Sequence, residues 1–180
     1  MLSDQPLITT ILVNILLGAV WHYATFFICI FKDTASFSPD KKMYQPHKWE
    51  NGGKFYSDVL KINQWKDLLP QHIGKDGFSK NHLDDISIEY IDRFIMETCR
   101  GEWNHKMNCW FFVIIMLINP LFTGLILTFL LFLGNLPFVF IQRYNRLRLQ
   151  KLRKAVIHKA KLAEKKSRRT ESNALEANSR

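Results

Sequence analysis

Residues 107–141 read MNCWFFVIIMLINPLFTGLILTFLLFLGNLPFVFI, a stretch of 35 residues without Asp, Glu, Lys or Arg. A helix rises about 1.5 Å per residue and a bilayer core is about 30 Å thick, so the stretch is too long for one straight crossing. Asn-Pro at 119–120 interrupts it early and Gly-Asn-Leu-Pro at 134–137 interrupts it late, because proline removes a backbone donor and clashes with the preceding turn. The stretch therefore predicts a proline-broken membrane hairpin with a short arm over 107–118 and a longer arm over 121–140.

A second uncharged stretch, residues 5–31, comes earlier in the chain. Leu7 to Phe31 is long enough for one spanning helix, which needs roughly 20 apolar residues. A cleaved secretory signal is the alternative, but it requires a basic start, a shorter apolar run and a small-residue cleavage site. The first 31 residues contain no Lys or Arg, and the run ends in Phe-Ile-Cys-Ile-Phe. An uncleaved N-terminal transmembrane helix is favoured.

Charge is segregated along the chain. Residues 32–106 carry twelve Lys/Arg and twelve Asp/Glu, whereas residues 142–180 carry thirteen basic residues and three acids, which accounts for the net charge of +9 apart from Asp4. Positive residues near membrane ends stay cytoplasmic, so the basic run predicts a cytoplasmic C-terminus. The uncharged N-terminal stretch followed by Lys32 predicts an N-terminus outside. We therefore expect a multi-pass protein of the cell membrane.

These patterns divide a mainly α-helical integral membrane protein into five parts. They are an N-terminal transmembrane helix (1–31), an interfacial, α-rich middle region ending in a helix (32–106), the membrane hairpin (107–141), a basic amphipathic helix (142–169) and a disordered tail (170–180). A basic helix with an apolar stripe often lies along anionic lipid. Nucleic-acid binding is the other interpretation of a basic run, but its position directly after a membrane segment favours lipid.

The helix expected at the end of the middle region carries a carboxylate and an imidazole on its apolar face. Helical spacing places Glu102 and His105 on the face that carries Ile91, Phe94 and Ile95. The two groups lie one turn apart and can pair with each other, although solvation of both at the interface is an equal alternative.

A hairpin brings its two ends to the same side of the membrane, so residues 100–105 are expected to face the Gln-Arg-Tyr-Asn-Arg cluster at 142–146. Arg100 falls on the opposite face of a straight helix from Glu102. It shares their site only if the helix distorts at Gly101, or it belongs to a second site.

Several classes of site are disfavoured. The chain has no Gly-rich phosphate loop, no Gly-x-Ser-x-Gly and no His-Glu-x-x-His motif. Its three cysteines are an odd number whose spacing matches no zinc pattern. Glu102-x-x-His105 is a single pair, whereas di-iron bundles need two such pairs and two more carboxylates. We expect no metal and no cofactor.

Four short motifs follow one another in the chain: KINQWKDLLP at 61–70, ETCRGEWNH at 97–105, NLP at 135–137 and QRYNRLRL at 142–149. Together they resemble W-K-D-x-L-P, E-T-x-R-A-E-x-x-H, N-x-P and Q-R-Y-N-R-x-R-L of the glycosyl-4,4'-diaponeurosporenoate acyltransferase family. Three features depart from that pattern. Gly101 replaces the usual alanine, Lys106 stands where an aromatic residue is common, and the basic tail beyond about residue 150 is extended.

The resemblance implies transfer of a fatty acyl group to a sugar hydroxyl of a glycosylated C30 carotenoid or similar glycolipid, as in the last step toward a staphyloxanthin-like pigment. The donor would be an acyl-CoA or acyl-carrier thioester. Such a reaction needs a base, and histidine, with an unperturbed pKa of about 6.5, makes His105 the candidate. Glu102 would orient the imidazole. Arg100, Arg143 or Asn145 would stabilise the oxyanion.

Further residues are expected to assist binding. Arg143, Arg146 and Lys66 are candidates for holding phosphates of the donor. His82 and Trp65 are supporting candidates. The competing hypothesis is a noncatalytic membrane adaptor that binds anionic lipid or a partner protein through its basic tail. No nucleic-acid partner is expected on either hypothesis.

Overall fold

A computed structural model describes residues 2, 4–69 and 87–178 of the chain. Within these ranges the protein is helical and contains no β-strand. The α-helices are α1 (Leu7–Phe31), α2 (Ile62–Trp65), α3 (Ile88–Cys109), α4 (Phe112–Ile118) and α5 (Leu121–Asn178). Helix α2 is a single turn, and the rest of the described middle region before α3 consists of short 3-10 and π turns.

Helices α1 and α5 present apolar side chains to the outside. Leu7 is 72% exposed, Phe31 83% and Phe122 76%. Both α1 and the Leu121–Thr170 part of α5 are long and apolar enough to cross a membrane. Exposed apolar surface on this scale indicates association with a membrane rather than with water. The bounds of α1 are those expected from the uncharged N-terminal stretch.

The turn between the hairpin arms lies where proline predicts it. Helix α4 ends at Ile118, Asn119 is extended with φ −103° and ψ 156°, and α5 begins at Leu121. Proline disfavours the α conformation of the residue before it, so Asn119 cannot continue the helix into Pro120. The first arm is longer than expected, because α3 enters it and runs on to Cys109 before a short turn leads into α4.

The second expected interruption does not occur. Pro137 lies inside α5, which continues without a break through the basic segment and past residue 170 to Asn178. Proline removes one backbone donor, but membrane helices tolerate it when packing and local adjustment satisfy the groups it frees. Phe138, the next residue, packs against α3 through His105. The hairpin arm, the basic helix and the start of the tail are therefore one helix of 58 residues, about 87 Å long.

Helix α1 runs antiparallel to the α3–α4 arm, and polar side chains set their register. Thr25 Oγ1 donates to Asn108 Oδ1 at 2.8 Å, and Asn14 exchanges two hydrogen bonds of 2.9 Å with Asn119. The two contacts are eleven positions apart on both helices, as an antiparallel pair requires. Leu2 N donates to Ile118 O at 2.7 Å, so the tip of the hairpin lies level with the start of α1.

Helices α3 and α5 are antiparallel as well, and their contact forms much of the core. Near its N-terminus α3 packs Ile91, Phe94 and Ile95 against Leu149 of α5. The turns of the middle region cover the next part of α5, where Tyr56 and Ile62 join a cluster completed by Ile141, Tyr144 and Leu147. The ends of the hairpin therefore lie side by side and carry residues 100–105 against residues 142–146, as expected from the sequence.

Candidate active site

Glu102 is fully buried between α3 and α5, and its partners are cations. Arg143 Nη1 donates to Glu102 Oε1 at 2.8 Å, and Arg146 Nη2 donates to Glu102 Oε2. Lys106 forms a further ion pair from the next turn of α3. Glu102 thus joins the two helices through both of its carboxylate oxygens.

A second buried acid, Glu50, completes this cluster and was not among the residues singled out from the sequence. Arg143 donates to it twice, from Nε at 2.7 Å and from Nη2 at 2.9 Å, and Tyr56 Oη donates at 2.5 Å. Asn51 and Gly52, with φ of 45° and 60°, turn the chain sharply after Glu50. The feature of the sequence that could have drawn attention to Glu50 is the Asn-Gly-Gly run that directly follows it and predicts a sharp turn. We call Glu50, Glu102, Arg143 and Arg146 the Glu102 network.

The ionisation of the two acids is set by their partners. Burial raises the pKa of Glu50, but hydrogen bonds from Arg143 and Tyr56 outweigh it and lower the pKa to about 2. Burial likewise raises the pKa of Glu102, and the charges of Arg146, Arg143 and Lys106 bring it below its usual value. Both carboxylates are charged at neutral pH, so the network consists of ion pairs, and the lowered pKa values make both acids weak bases.

His105 lies on a neighbouring part of the same helix contact and is only half-buried. Its ring stacks on Phe138 at 4.7 Å between centroids, with 7° between planes, and its Nδ1 lies 3.2 Å from Asn135 Oδ1. Asn135 Nδ2 donates to Leu131 O at 3.0 Å, which directs the oxygen of its amide to the imidazole. In the neutral imidazole, this contact assigns the proton to Nδ1. The sequence suggested Glu102 as the partner of His105, whereas the contact that the structure describes is with Asn135.

Arg100 points to a different part of the surface. Its Nη1 donates to Glu97 Oε1 at 2.5 Å, and its guanidinium lies 5.1 Å from the centre of the Phe37 ring. It lines a cavity of about 520 Å³ between the end of α1 and α3, together with Phe31, Lys32, Arg93, Met96 and Glu97. The structure therefore follows the second of the two alternatives, in which Arg100 belongs to a separate site.

The remaining candidates are dispersed. Trp65 donates to Leu60 O at 2.8 Å and packs on the cluster around Tyr56, while Lys66 pairs with Asp67 at 2.7 Å. Asn145 is half-buried and makes no hydrogen bond to any described residue. His82 lies outside the described residues. Among the residues that the structure describes, no group of three or more His, Cys, Asp or Glu could hold a metal ion.

Cys99 is the thiol nearest to the Glu102 network, and it is fully buried. Burial raises the pKa of the Cys99 thiol to about 11. The thiolate is the nucleophilic form of cysteine, so this side chain is neither ionised at neutral pH nor reachable by a substrate. Its burial and raised pKa therefore argue against a nucleophilic role for Cys99.

Comparison with known proteins matches the region that contains these residues. The family model described as glycosyl-4,4'-diaponeurosporenoate acyltransferase matches residues 40–155. Curated proteins of that name from Staphylococcus aureus are similar over 122 residues, which cover 63% of this chain and 73% of each relative. The identity is 33% for strain MRSA252, 32% for strain bovine RF122 / ET3-1 and 31% for strain USA300. No solved structure matches the chain.

Proposed function

The chain belongs to the glycosyl-4,4'-diaponeurosporenoate acyltransferase family, and from this premise we propose that this acyltransferase of carotenoid biosynthesis esterifies a sugar hydroxyl of a glycosylated C30 carotenoid within the membrane. A second glycolipid acceptor of similar shape would fit the same chemistry. The apolar outer faces of α1 and α5 support a membrane location, where both a fatty acyl chain and a polyene dissolve.

The observation that carries the mechanism is the orientation of His105. Asn135 Oδ1 accepts a hydrogen bond from Nδ1, so in the neutral imidazole Nε2 is the basic ring nitrogen. In the proposed reaction, the sugar hydroxyl oxygen attacks the carbonyl carbon of an acyl thioester and its proton passes to Nε2. The carbon–sulfur bond breaks, and the imidazolium returns the proton to the departing thiolate. The products are an ester and a free thiol.

Asn145 is proposed as a substrate-binding residue. Arg143 is occupied by Glu50 and Glu102, and Arg100 by Glu97, whereas the Asn145 side chain forms no hydrogen bond within the described part of the chain. Asn145 lies seven residues after Phe138 on α5, about 10 Å along the helix from the level of His105. At that distance it would contact a part of the substrate other than the carbonyl that is attacked beside His105.

The Glu102 network is proposed to act by positioning. Arg143 is paired with both acids and Arg146 with Glu102 through Nη2, while Arg146 Nη1 is buried and makes no hydrogen bond to any described residue. Both guanidinium groups are buried, so a donor phosphate could reach them only by opening the contact between α3 and α5. By fastening α3 to α5 the network sets the distance at which His105 meets Asn135. The residues of this network therefore contribute to catalysis through the alignment of the two helices.

The register of the helices supports a three-crossing topology. Because the hairpin tip lies level with the start of α1, the hairpin reaches as deep as α1 does. We propose that α1, the α3–α4 arm and the first part of α5 each cross the bilayer. The basic residues that follow Ile141 then place the C-terminus in the cytoplasm, and His105 lies toward the cytoplasmic end.

The test uses the full-length chain purified into lipid nanodiscs, with a glycosylated C30 carotenoid and an acyl thioester as substrates. We expect His105→Gln to lower kcat by about 10²–10⁴-fold with an unchanged melting temperature, because it removes the base without opening the core. His158→Gln, on the exposed part of α5, is the matched control and keeps wild-type activity. A fully active His105→Gln protein excludes the assignment of the base.

The adaptor hypothesis makes the opposite prediction for the tail. Residues up to Val156 pack against α3, so the truncation should begin at residue 158 to leave that packing intact. The acyltransferase proposal predicts that this truncated chain keeps its activity. An adaptor would lose its function when the chain is truncated at residue 158, and His105→Gln would not affect it.

A further inference from the structure

The cavity between the end of α1 and α3 takes no part in the mechanism of His105. Its volume of about 520 Å³ falls within the range of about 300–1,000 Å³ that is usual for small-molecule sites. Ile30 and Phe31, the last two residues of α1, line it, and Lys32 follows them directly. The cavity therefore lies where the apolar run of α1 ends, which for a spanning helix is the surface of the membrane.

The charged lining of this cavity contains more cations than acids. Its cations are Lys32, Arg93 and Arg100, and its acids are Asp33 and Glu97. Both acids are held by neighbouring groups of the chain. Glu97 Oε1 accepts from Arg100 Nη1 at 2.5 Å, and Asp33 Oδ1 accepts from the backbone N–H of Ala35 at 3.2 Å. The excess of positive charge favours an anionic ligand over a cationic one.

Lys32 provides an ammonium group that no carboxylate neutralises. Its Nζ lies 5.6 Å from the centre of the Trp103 ring on α3, and Lys32 forms no ion pair within the described part of the chain. A cation–π contact holds the ammonium against α3 without cancelling its charge. Arg100 adds a planar guanidinium, whose N–H donors match the oxygens of a phosphate.

An apolar surface leads from the cavity down the outside of α1. Phe27, Ile28 and Phe31 are all exposed and lie within about one turn of one another. A ligand whose anionic head enters the cavity can therefore lay an apolar chain along this face, where it is shielded from water. Phospholipids and acyl-CoA molecules both combine a phosphate with a long apolar chain.

We propose that the cavity binds the phosphate of an amphiphile, with Lys32, Arg93 and Arg100 around the phosphate and the apolar chain along α1. The phosphate has two sources at a membrane surface, an anionic phospholipid and the acyl-CoA donor. Arg100 lies five residues before His105, about 7.5 Å along α3, so the phosphate site is separate from the proposed base. This inference rests on the membrane placement of α1 under the proposed function.

The experiment measures binding by the full-length protein in detergent, with two matched pairs of ligands. Phosphatidylglycerol is compared with diacylglycerol, which lacks the phosphate, and palmitoyl-CoA with palmitoyl-pantetheine, which lacks the nucleotide and its phosphates. Titrations followed by native mass spectrometry give each Kd. We expect Lys32→Gln to raise the Kd of a phosphate ligand about fivefold, and Lys32→Gln with Arg93→Gln about 25-fold, because each cation near a membrane surface contributes about that much. The Kd values of the phosphate-free ligands should stay unchanged.

The matched control is Lys41→Gln with Lys42→Gln. It removes two positive charges that are exposed in the same middle region but do not line the cavity, and it should change each Kd by less than about twofold. Lys32 and Arg93 are exposed as well, so neither double variant opens the core. Because Arg93 has further interactions in the protein, Lys32→Gln alone decides the test if the double variant melts at a lower temperature.

The two ligand pairs identify the source of the phosphate. A raised Kd for phosphatidylglycerol indicates a lipid site, a raised Kd for palmitoyl-CoA with a parallel rise in its KM indicates a donor site, and a rise for both indicates one site that takes either. Unchanged Kd values for both phosphate ligands overturn the inference. An equal rise in the control variant or for the phosphate-free ligands overturns it too. A wild-type protein that binds the phosphate ligands through Lys32 but transfers no acyl group contradicts the proposed function alone.

Discussion

The Glu102 network and the contact of His105 with Asn135 and Phe138 both lie between α3 and α5, yet they differ in charge and in burial. Glu50 and Glu102 have both carboxylate oxygens occupied by charged or hydrogen-bonding partners and are fully buried. At the second contact, His105 is half-buried, and Gln142 Oε1 one turn away accepts no hydrogen bond from any described residue.

This difference indicates which residues act on a substrate. The carboxylates of Glu50 and Glu102 have no oxygen left for a ligand, and loss of either acid leaves an uncompensated charge in the core. Arg146 Nη1 is the buried atom of the network that has no hydrogen-bond partner among the described residues. We therefore infer that the charged residues of the motifs act mainly by positioning, and that His105 is the candidate for chemistry.

The largest effect that would test this comparison is expected from Glu102→Gln. The change removes the carboxylate shared by Arg143, Arg146 and Lys106 and leaves buried positive charge, at a cost of about 3–5 kcal/mol. Denaturant unfolding in detergent would measure the loss. Glu164→Gln, which affects an exposed ion pair with Arg168, is the control and should change stability by less than about 0.5 kcal/mol. A Glu102→Gln protein with normal stability and no activity would place Glu102 among the reacting groups.

A smaller loss of stability is expected when the pH is lowered. The pKa of Glu50 in the folded protein, about 2, lies below its ordinary value of 4.5, so its ion pair with Arg143 stabilises the fold above that ordinary value. The stabilisation, on the order of 3 kcal/mol, is lost as the pH falls from about 4.5 toward 2. The melting temperature of the wild type should fall over this range, and Glu50→Gln should flatten the decline. If Glu50→Gln and the wild type decline in parallel, Glu50 is not ion-paired in solution.

The smallest effect is expected far from both regions, at the Asn14–Asn119 pair. Hydrogen bonds between membrane helices contribute about 0.6 kcal/mol on average, because unfolded helices in a membrane also find partners. A double-mutant cycle with Asn14→Ala and Asn119→Ala should give a coupling energy of that size without altering kcat. Thr128→Ala, which removes a buried hydroxyl that has no hydrogen bond, serves as the control and should cost no stability. A coupling energy near zero would contradict the register assigned to α1.

Much of the helical arrangement could be predicted from local sequence. The bounds of α1 follow from an uncharged apolar run, and the turn at Asn119 follows from the restriction that proline places on its predecessor. A second break was predicted at Pro137 from the backbone donor that proline lacks, and this prediction was wrong because the cost of one missing hydrogen bond depends on what surrounds it. The arrangement of α5 against α3 keeps the helix intact there.

The amino-acid sequence by itself determined the apolar helices, the hairpin that brings its two ends together and the family motifs, since each depends on composition or on neighbours in the chain. Only the tertiary structure decided which partners the polar residues take. Helical spacing placed Glu102 beside His105, but Arg143 and Glu50 come from other segments and engage in contacts that no spacing encodes. Partner choice among buried charges depends on distances between segments far apart in sequence, so Glu102 pairs with Arg143 and Arg146, and the His105 contact that the structure describes is with Asn135.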